Sequence, residues 1–128
     1  MAFTGKWKVT NFEEDKLNSV LDAYGIPQSD RDRNMILKAS VDITQNGDTF
    51  TISATGGLGK KGAHTFTVGN EVDGELFGKK YHGTHTWDGD TVVFKGRTGV
   101  VLRRAIEGGN LTYSVEYGGK CGKIFLSK

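Results

Sequence analysis

From residue 38 onward the chain alternates apolar and polar side chains in short runs separated by turn residues. Val41, Ile43 and Gln45 alternate with Ser40, Asp42 and Thr44, and Phe50, Ile52 and Ala54 alternate with Thr49, Thr51 and Ser53. His64, Phe66 and Val68 follow, then Tyr81, Gly83, His85 and Trp87, each set interleaved with threonine or histidine. Further strands are predicted over Thr91 to Lys95, Val100 to Ile106, Leu111 to Tyr117 and Cys121 to Ser127. A period of two places successive side chains on opposite faces of a strand, so each run has an apolar face and a Thr/Ser/charged face for water. Asn46-Gly47-Asp48, Asp88-Gly89-Asp90, Glu107-Gly108-Gly109-Asn110 and Gly118-Gly119-Lys120 separate the runs. Asn-Gly tolerates the positive φ angles of a tight hairpin turn. Strands this short and regularly spaced predict an antiparallel meander, and closing it into a barrel removes the exposed edges.

The exception lies near the N-terminus. Leu17, Val20, Leu21 and Tyr24 fall at i, i+3, i+4 and i+7, one apolar stripe on a short helix that Gly25-Ile26-Pro27 ends. Ser29 with Asp32 three residues on resembles a capping pattern, and Met35 and Ile36 follow, so a second short helix is predicted. The whole reads as one strand (Gly5 to Phe12), two helices and about nine strands, a mainly β chain.

At 128 residues this is a single domain, long enough to bury roughly 68% of its unfolded surface. Nineteen glycines, one proline and many threonines suit a turn-rich β domain. No apolar run approaches the ~18 residues that cross a bilayer, and the start, Met1-Ala2-Phe3-Thr4-Gly5-Lys6-Trp7, has no secretory pattern. A single cysteine, Cys121, makes no internal disulfide and fits a reducing compartment, so the cytoplasm is expected, with the nucleus also open to a chain of this size. The formal charge of +2, with no Lys/Arg run beyond two residues, gives no support to nucleic-acid binding.

These elements, in this order, resemble the intracellular lipid-binding proteins, the family of fatty-acid- and retinoid-binding carriers. The resemblance is carried by Phe3-x-Gly5-x-Trp7, Asn11-Phe12-Glu13, the helical pair, Asn46-Gly47-Asp48, Phe66-Thr67-Val68-Gly69-x-Glu71-Val72-Asp73 and Trp87-x-Gly89, and covers essentially the whole chain. It implies a ten-stranded antiparallel up-and-down β-barrel, or β-clam, whose helix-turn-helix lid closes a large internal cavity. It also implies a non-enzymatic carrier of fatty acids or other hydrophobic carboxylates, with retinoids or bile acids as the nearest alternatives. No cofactor is expected, and a closed barrel gives no reason to expect more than a monomer.

In the fatty-acid and retinoic-acid carriers an inward arginine late in the eighth strand and an Arg-x-Tyr pair in the last strand hold the ligand. Arg104 matches the first, and Lys123-Ile124-Phe125 stands where the pair would be, with both of its key residues changed. Read by period alone, Arg104 shares parity with Leu102 and Ile106, and Lys123 with Cys121 and Phe125; the apolar Val101 and Ala105 leave the choice between Arg103 and Arg104 open. Were both cations interior, each would need a partner, because an unpaired buried ion costs several kcal/mol. A ligand carboxylate would be that partner, with Tyr113 and His85 adding hydrogen bonds. Val41, Ile43, Phe50, Ile52, His64 and Phe66 are expected to line the cavity from the first half of the chain. Val68, Tyr81, Trp87, Val92, Phe94 and Val115 are expected to do so from the second. The resemblance places Leu17, Val20, Leu21, Leu58, Leu76 and Phe77 at the portal or lid. Lys60, Lys61, Lys79, Lys80, Arg31 and Arg33 would ring it and offer transient contact with anionic membranes.

Other chemistries are thinly supported. His82 and His85 lie three apart on a strand and so face opposite ways, which argues against a shared metal. Cys121 has no helix N-terminus or acid that would make it a nucleophile. Gly56-Gly57-Leu58-Gly59-Lys60-Lys61-Gly62 lacks phosphate-loop spacing. A barrel that stacks single-stranded nucleic acid on its Trp and Tyr residues is the rival of another class, and its affinity would collapse with salt.

Overall fold

The computed structural model describes residues 2–59 and 62–128. Strand β1 (Gly5–Phe12) leads into helix α1 (Glu14–Tyr24), a single 3-10 turn (Gln28–Asp30) and helix α2 (Arg33–Leu37). Nine further strands follow: β2 (Ser40–Asn46), β3 (Thr49–Ala54), β4 (Ala63–Thr67), β5 (Glu71–Leu76), β6 (Lys79–Asp88), β7 (Thr91–Gly96), β8 (Val101–Glu107), β9 (Asn110–Tyr117) and β10 (Lys120–Ser127). All pair antiparallel in one ten-stranded sheet of order β4-β3-β2-β1-β10-β9-β8-β7-β6-β5. The sheet therefore curls into a barrel whose wall has a seam between β4 and β5, where no ladder is formed. The expected order of elements is the one observed.

Alternation sets the inner face. Trp7 in β1, Val41 and Ile43 in β2, Phe50 in β3, Phe94 in β7 and Leu102 in β8 are each 1% exposed or less. Phe3 closes the end of the barrel remote from the helices, its carbonyl accepting the Trp7 indole N–H (3.0 Å) and its ring meeting Phe50 edge-on (5.5 Å). On the outer face of β3 and β4, threonine hydroxyls pair across the ladder, Thr49 with Thr67 and Thr51 with Thr65 (3.1 Å each).

Helix α1 buries Leu17, Val20, Leu21 and Tyr24 against β9 and β10, as its stripe predicts. It approaches β10 so closely that a Cβ on Gly122 would lie 2.6 Å from the Leu17 nitrogen and nearer still to its Cα. Gly25, in the left-handed region (φ 85°), ends the helix, and the Ile26 N–H donates to Leu21 O (3.0 Å). Helix α2 starts differently from the sequence pattern. Ser29 falls inside the 3-10 turn, and Asp32 is the cap, its Oδ1 accepting from the N–H groups of Asn34 (2.9 Å) and Met35 (3.1 Å).

In strand β5, Val72, Gly74 and Leu76 face inward and alternate with Glu71, Asp73 and Glu75. Its central inward position, Gly74, carries no side chain, and a Cβ there would overlap the Tyr81 ring. The ring of Tyr81 thus occupies the place an apolar β5 residue would otherwise fill.

Candidate functional site

Two adjacent arginines on β8 have opposite fates. Arg103 faces outward and is paired with Glu116 on β9 (2.6 Å) and Asp88 (3.7 Å). Arg104 faces inward with Leu102, is 7% exposed, and forms no ion pair with any carboxylate among the described residues. Its guanidinium lies instead over the rings of Tyr113 (5.0 Å) and Phe66 (5.6 Å), and its Nη1 donates toward His85 Nε2 (3.4 Å). Tyr113 is its cross-strand neighbour on β9, while His85 reaches it from β6.

The imidazole of His85 is held between aromatic neighbours. It stacks on Phe66 at 3.6 Å with the planes within 3°, and Phe94, its partner across the β6–β7 ladder, meets it edge-on at 4.9 Å. Burial first, then the charges of Arg104 and His64, push its pKa down to about 2, so it is neutral. Burial likewise pushes the Tyr81 phenol up to about 12 and keeps it protonated, its hydroxyl donating to Glu75 O (3.4 Å). Arg104 Nε, His85 Nδ1 and the Tyr113 hydroxyl are buried without a hydrogen-bond partner among the described residues. Native interiors leave few such atoms unpaired, so three around one guanidinium are an unusual concentration.

Beside this cluster is a narrow slot lined by Ile52, Ala54 and Leu58 on one side and Gly74, Tyr81 and Phe94 on the other, with Arg104, His85, His64 and Phe66 at its inner end. It offers ≈ 20 Å³ to the centre of a water molecule, within ≈ 370 Å³ of unfilled space counting its mouth. The interior is therefore largely occupied by rings, and among the described residues this slot is far narrower than the wide cavity implied by the family resemblance. Phe50, Phe66 and His85 form a continuous stack (5.0 and 3.6 Å) that fills the space.

Of the expected headgroup residues, the structure brings together Arg104, Tyr113 and His85 and sets two apart. Lys123 and Phe125 are half-exposed on the outer face of β10, whereas Gly122, Ile124 and Leu126 point inward. Residues Ile124 to Leu126 are apolar on both parities, so period cannot choose, and pairing of Ile124 with Tyr113 and of Leu126 with Leu111 decides. Lys123 lies in an outer group with Cys121, Glu116 and Glu13, where its backbone N–H donates to Glu13 Oε1 (3.0 Å).

Among the expected lining residues, Ile52, His64, Phe66, Tyr81 and Phe94 border the slot. Val41, Ile43, Phe50, Val92 and Val115 are buried in the packed core away from it, and half-buried Val68 packs against that core. Trp87 sits at the far end of the barrel, its indole N–H donating to Asp48 Oδ1 (2.9 Å). Ala54, Gly59, Gly74 and Glu75 border the slot without having been expected. Leu58, Leu76 and Phe77 are sealed at 1% exposure or less. The Phe77 N–H donates to Gly57 O (2.6 Å), joining the β5–β6 turn to the glycine loop, and Phe77 itself is in the left-handed region (φ 48°). Leu17, Val20 and Leu21 are buried on α1, which packs over β9 and β10.

The basic ring is also altered. Arg31 is buried, donating to Asn18 O (2.8 Å) and to Asp22, and Arg33 pairs with Glu14 (2.9 Å). Lys79 donates to Tyr24 O (2.6 Å) and lies over the Tyr24 ring (4.3 Å). Arg31 and Lys79 tie α1 down, while Arg33 makes its pair on the exposed surface; Lys80 is exposed, and Lys60 and Lys61 lie outside the described residues. Among the described residues no three His, Cys, Asp or Glu side chains gather as a metal site, and no helix is long and apolar enough to cross a membrane.

His82, outward on β6, bonds Asp73 (2.6 Å) and Glu71 (3.2 Å), and Glu71 also bonds Arg97 (2.7 Å). The bonds to Asp73 and Glu71 raise the His82 pKa, and those from Arg97 and His82 lower that of Glu71. The raised histidine contributes stability that is full below its unfolded value of 6.5 and lost as pH rises through its folded value. The lowered Glu71 contributes above 4.5 and loses its share as pH falls through its folded value. The urea midpoint of the parent should therefore exceed that of His82→Asn most between pH 4.5 and 6.5, and the difference should shrink toward pH 9; a pH-independent difference would contradict this account.

Comparison with known proteins places these features in context. Residues 1–100 match the family model described as the lipocalin / cytosolic fatty-acid binding protein family, a match that stops before Arg104. The chain is 33% identical over 94 residues to gastrotropin of Sus scrofa, spanning 73% of this chain and 72% of that one. It is 32% identical over 77 residues to liver fatty acid binding protein 1-A of Danio rerio, spanning 60% and 58%. Its fold superposes on that of a zebrafish ileal bile acid-binding protein complexed with cholic acid with a TM-score of 0.76, at 25% identity over 100% of this chain and 99% of that one.

Proposed function

Because this chain belongs to the lipocalin / cytosolic fatty-acid binding protein family, we propose that it is a cytosolic lipid carrier and that its cargo is a long-chain fatty acid or a similar hydrophobic carboxylate. The observation that carries the reading is Arg104: a guanidinium is always protonated, this one is buried, and no carboxylate among the described residues pairs with it. A ligand carboxylate supplies the missing charge and accepts from the guanidinium fork, and the Tyr113 hydroxyl stands ready as a further donor. The apolar tail gains roughly 0.8 kcal/mol per buried CH₂.

Entry requires the rings around the slot to part. The seam between β4 and β5 has no backbone ladder, so its walls can separate there without breaking strand hydrogen bonds. Named relatives support the class of cargo: one is a liver fatty acid binding protein, and one similar structure holds cholic acid.

Native mass spectrometry of protein purified without delipidation, with the released ligand identified, tests the reading. Bound long-chain carboxylic acids are expected. Protein that is empty and binds no added fatty acid, or that retains a neutral retinoid or sterol, would overturn it. Retention that collapses with salt would point to the nucleic-acid rival.

A further inference from the structure

His85 carries information about the ligand beyond its carboxylate. Its Nε2 faces an N–H of Arg104, and arginine can only donate, so Nε2 is the lone-pair nitrogen and the neutral ring bears its proton on Nδ1. That N–H is buried in a residue 3% exposed, has no partner among the described residues, and belongs to a side chain that borders the slot. Phe66 stacked on one face and Phe94 at the edge fix the direction in which it points.

The direction matters because the two ring nitrogens of imidazole point ~144° apart. With Arg104 Nη1 at 3.4 Å from Nε2, an acceptor at ~2.9 Å from Nδ1 lies ~8 Å from Nη1. Even a carboxylate oxygen bonded to Nη1 and leaning toward His85 stays ~5 Å from that acceptor position, more than twice the ~2.2 Å separating the two oxygens of one carboxylate. A single headgroup held at Nη1 cannot satisfy both residues.

We infer that His85 reads a second oxygen on the ligand, several carbons from the carboxylate, so that the preferred cargo is a hydroxylated or oxo-substituted long-chain acid. This rests on the carrier reading and on Arg104 as the carboxylate's partner. The physical source of the preference is asymmetric: a plain hydrocarbon chain leaves the Nδ1–H desolvated and unpaired, whereas an oxygenated chain accepts from it.

Isothermal titration of octadecanoic acid and of its positional isomers bearing one hydroxyl measures the effect, on the parent, His85→Phe and His85→Gln, each checked by thermal melting. The parent should bind at least one hydroxylated isomer about ten- to a hundredfold more tightly than the plain acid. In His85→Phe this ratio should fall to about one, and His85→Gln, which keeps an N–H donor, should retain part of it. Equal affinities across the series in the parent, or a preference undiminished in His85→Phe, would overturn the inference while leaving the carrier reading intact. Failure of the parent to bind any of the acids would sink both.

Discussion

Replacing Arg104 by methionine should weaken the binding of long-chain carboxylates sharply and leave the unliganded protein as stable as the parent or more so. The two effects have one cause. In the unliganded barrel the guanidinium is buried among Phe66, Tyr113 and His85 with no opposing charge paired to it among the described residues. Its contacts with the two ring faces return ~0.5–2 kcal/mol each, against a desolvation penalty of several kcal/mol. An apolar side chain of similar length removes that penalty, and such replacements are neutral or stabilising by about 1–4 kcal/mol. With a carboxylate bound the balance inverts, because charge-assisted hydrogen bonds of about 1.5–3 kcal/mol are lost. Affinity should fall by about a hundredfold, read by displacement of a fluorescent fatty acid, while the urea midpoint holds or rises. The reverse pattern, a protein weakened by more than about 2 kcal/mol with its affinity intact, would make Arg104 a structural cation held by its aromatic neighbours. The same substitution at Arg103 separates charge from place: it breaks the pairs to Glu116 and Asp88 on the outer face and should leave affinity unchanged.

Gly122→Val should be strongly destabilising. The glycine is the point where α1 rests on β10, and the atoms that a Cβ would meet belong to the backbone of Leu17, not to a side chain able to swing away. The helix must therefore lift, and with it the buried contacts of Leu17, Val20, Leu21 and Tyr24. Overpacking alone costs about 1–3 kcal/mol, and loosening the apolar stripe adds to it, so a loss of at least about 3 kcal/mol is expected. Thermal melting should show it as a drop of ~10 °C or more. Arg31 and Lys79 still pin the far end of the helix, so the barrel should keep its β-sheet signature by circular dichroism. A melting temperature within a few degrees of the parent would mean that α1 tolerates displacement and that its seat on β10 is not specific.

Much of the barrel was legible because its two faces differ. Wherever one parity is apolar and the other threonine or charge, as in Val41 to Ile43 or Phe50 to Ile52, the period of two says which side is inward. The stripe of α1 and the glycine turns were legible for the same kind of local reason. Where both parities are apolar the period is silent. Residues Ile124 to Leu126 are the clearest case, and there Lys123 and Phe125 were expected inside but lie outside. Where the inward position carries no side chain, as at Gly74, no local signal tells that the Tyr81 ring from the neighbouring strand fills the space. The cations expected around the mouth looked free in one dimension; their partners Asn18, Asp22, Glu14 and Tyr24 are all on α1, between nine and fifty-five residues away.

By itself, then, the chain determined the count and order of strands, the positions of the turns, the helix stripe and the presence of a candidate cation on β8. These depend on the conformational preferences and face-to-face contrast of neighbouring residues, which are local quantities. Only the tertiary structure decided that Arg104 and not Arg103 enters the barrel, that Lys123 stays out, and that Phe50, Phe66 and His85 stack to fill the interior down to a slot. Those outcomes follow from the registers of β8, β9 and β10 and from rings contributed by β3, β4 and β6, and pairings between distant segments are fixed by the closed barrel as a whole.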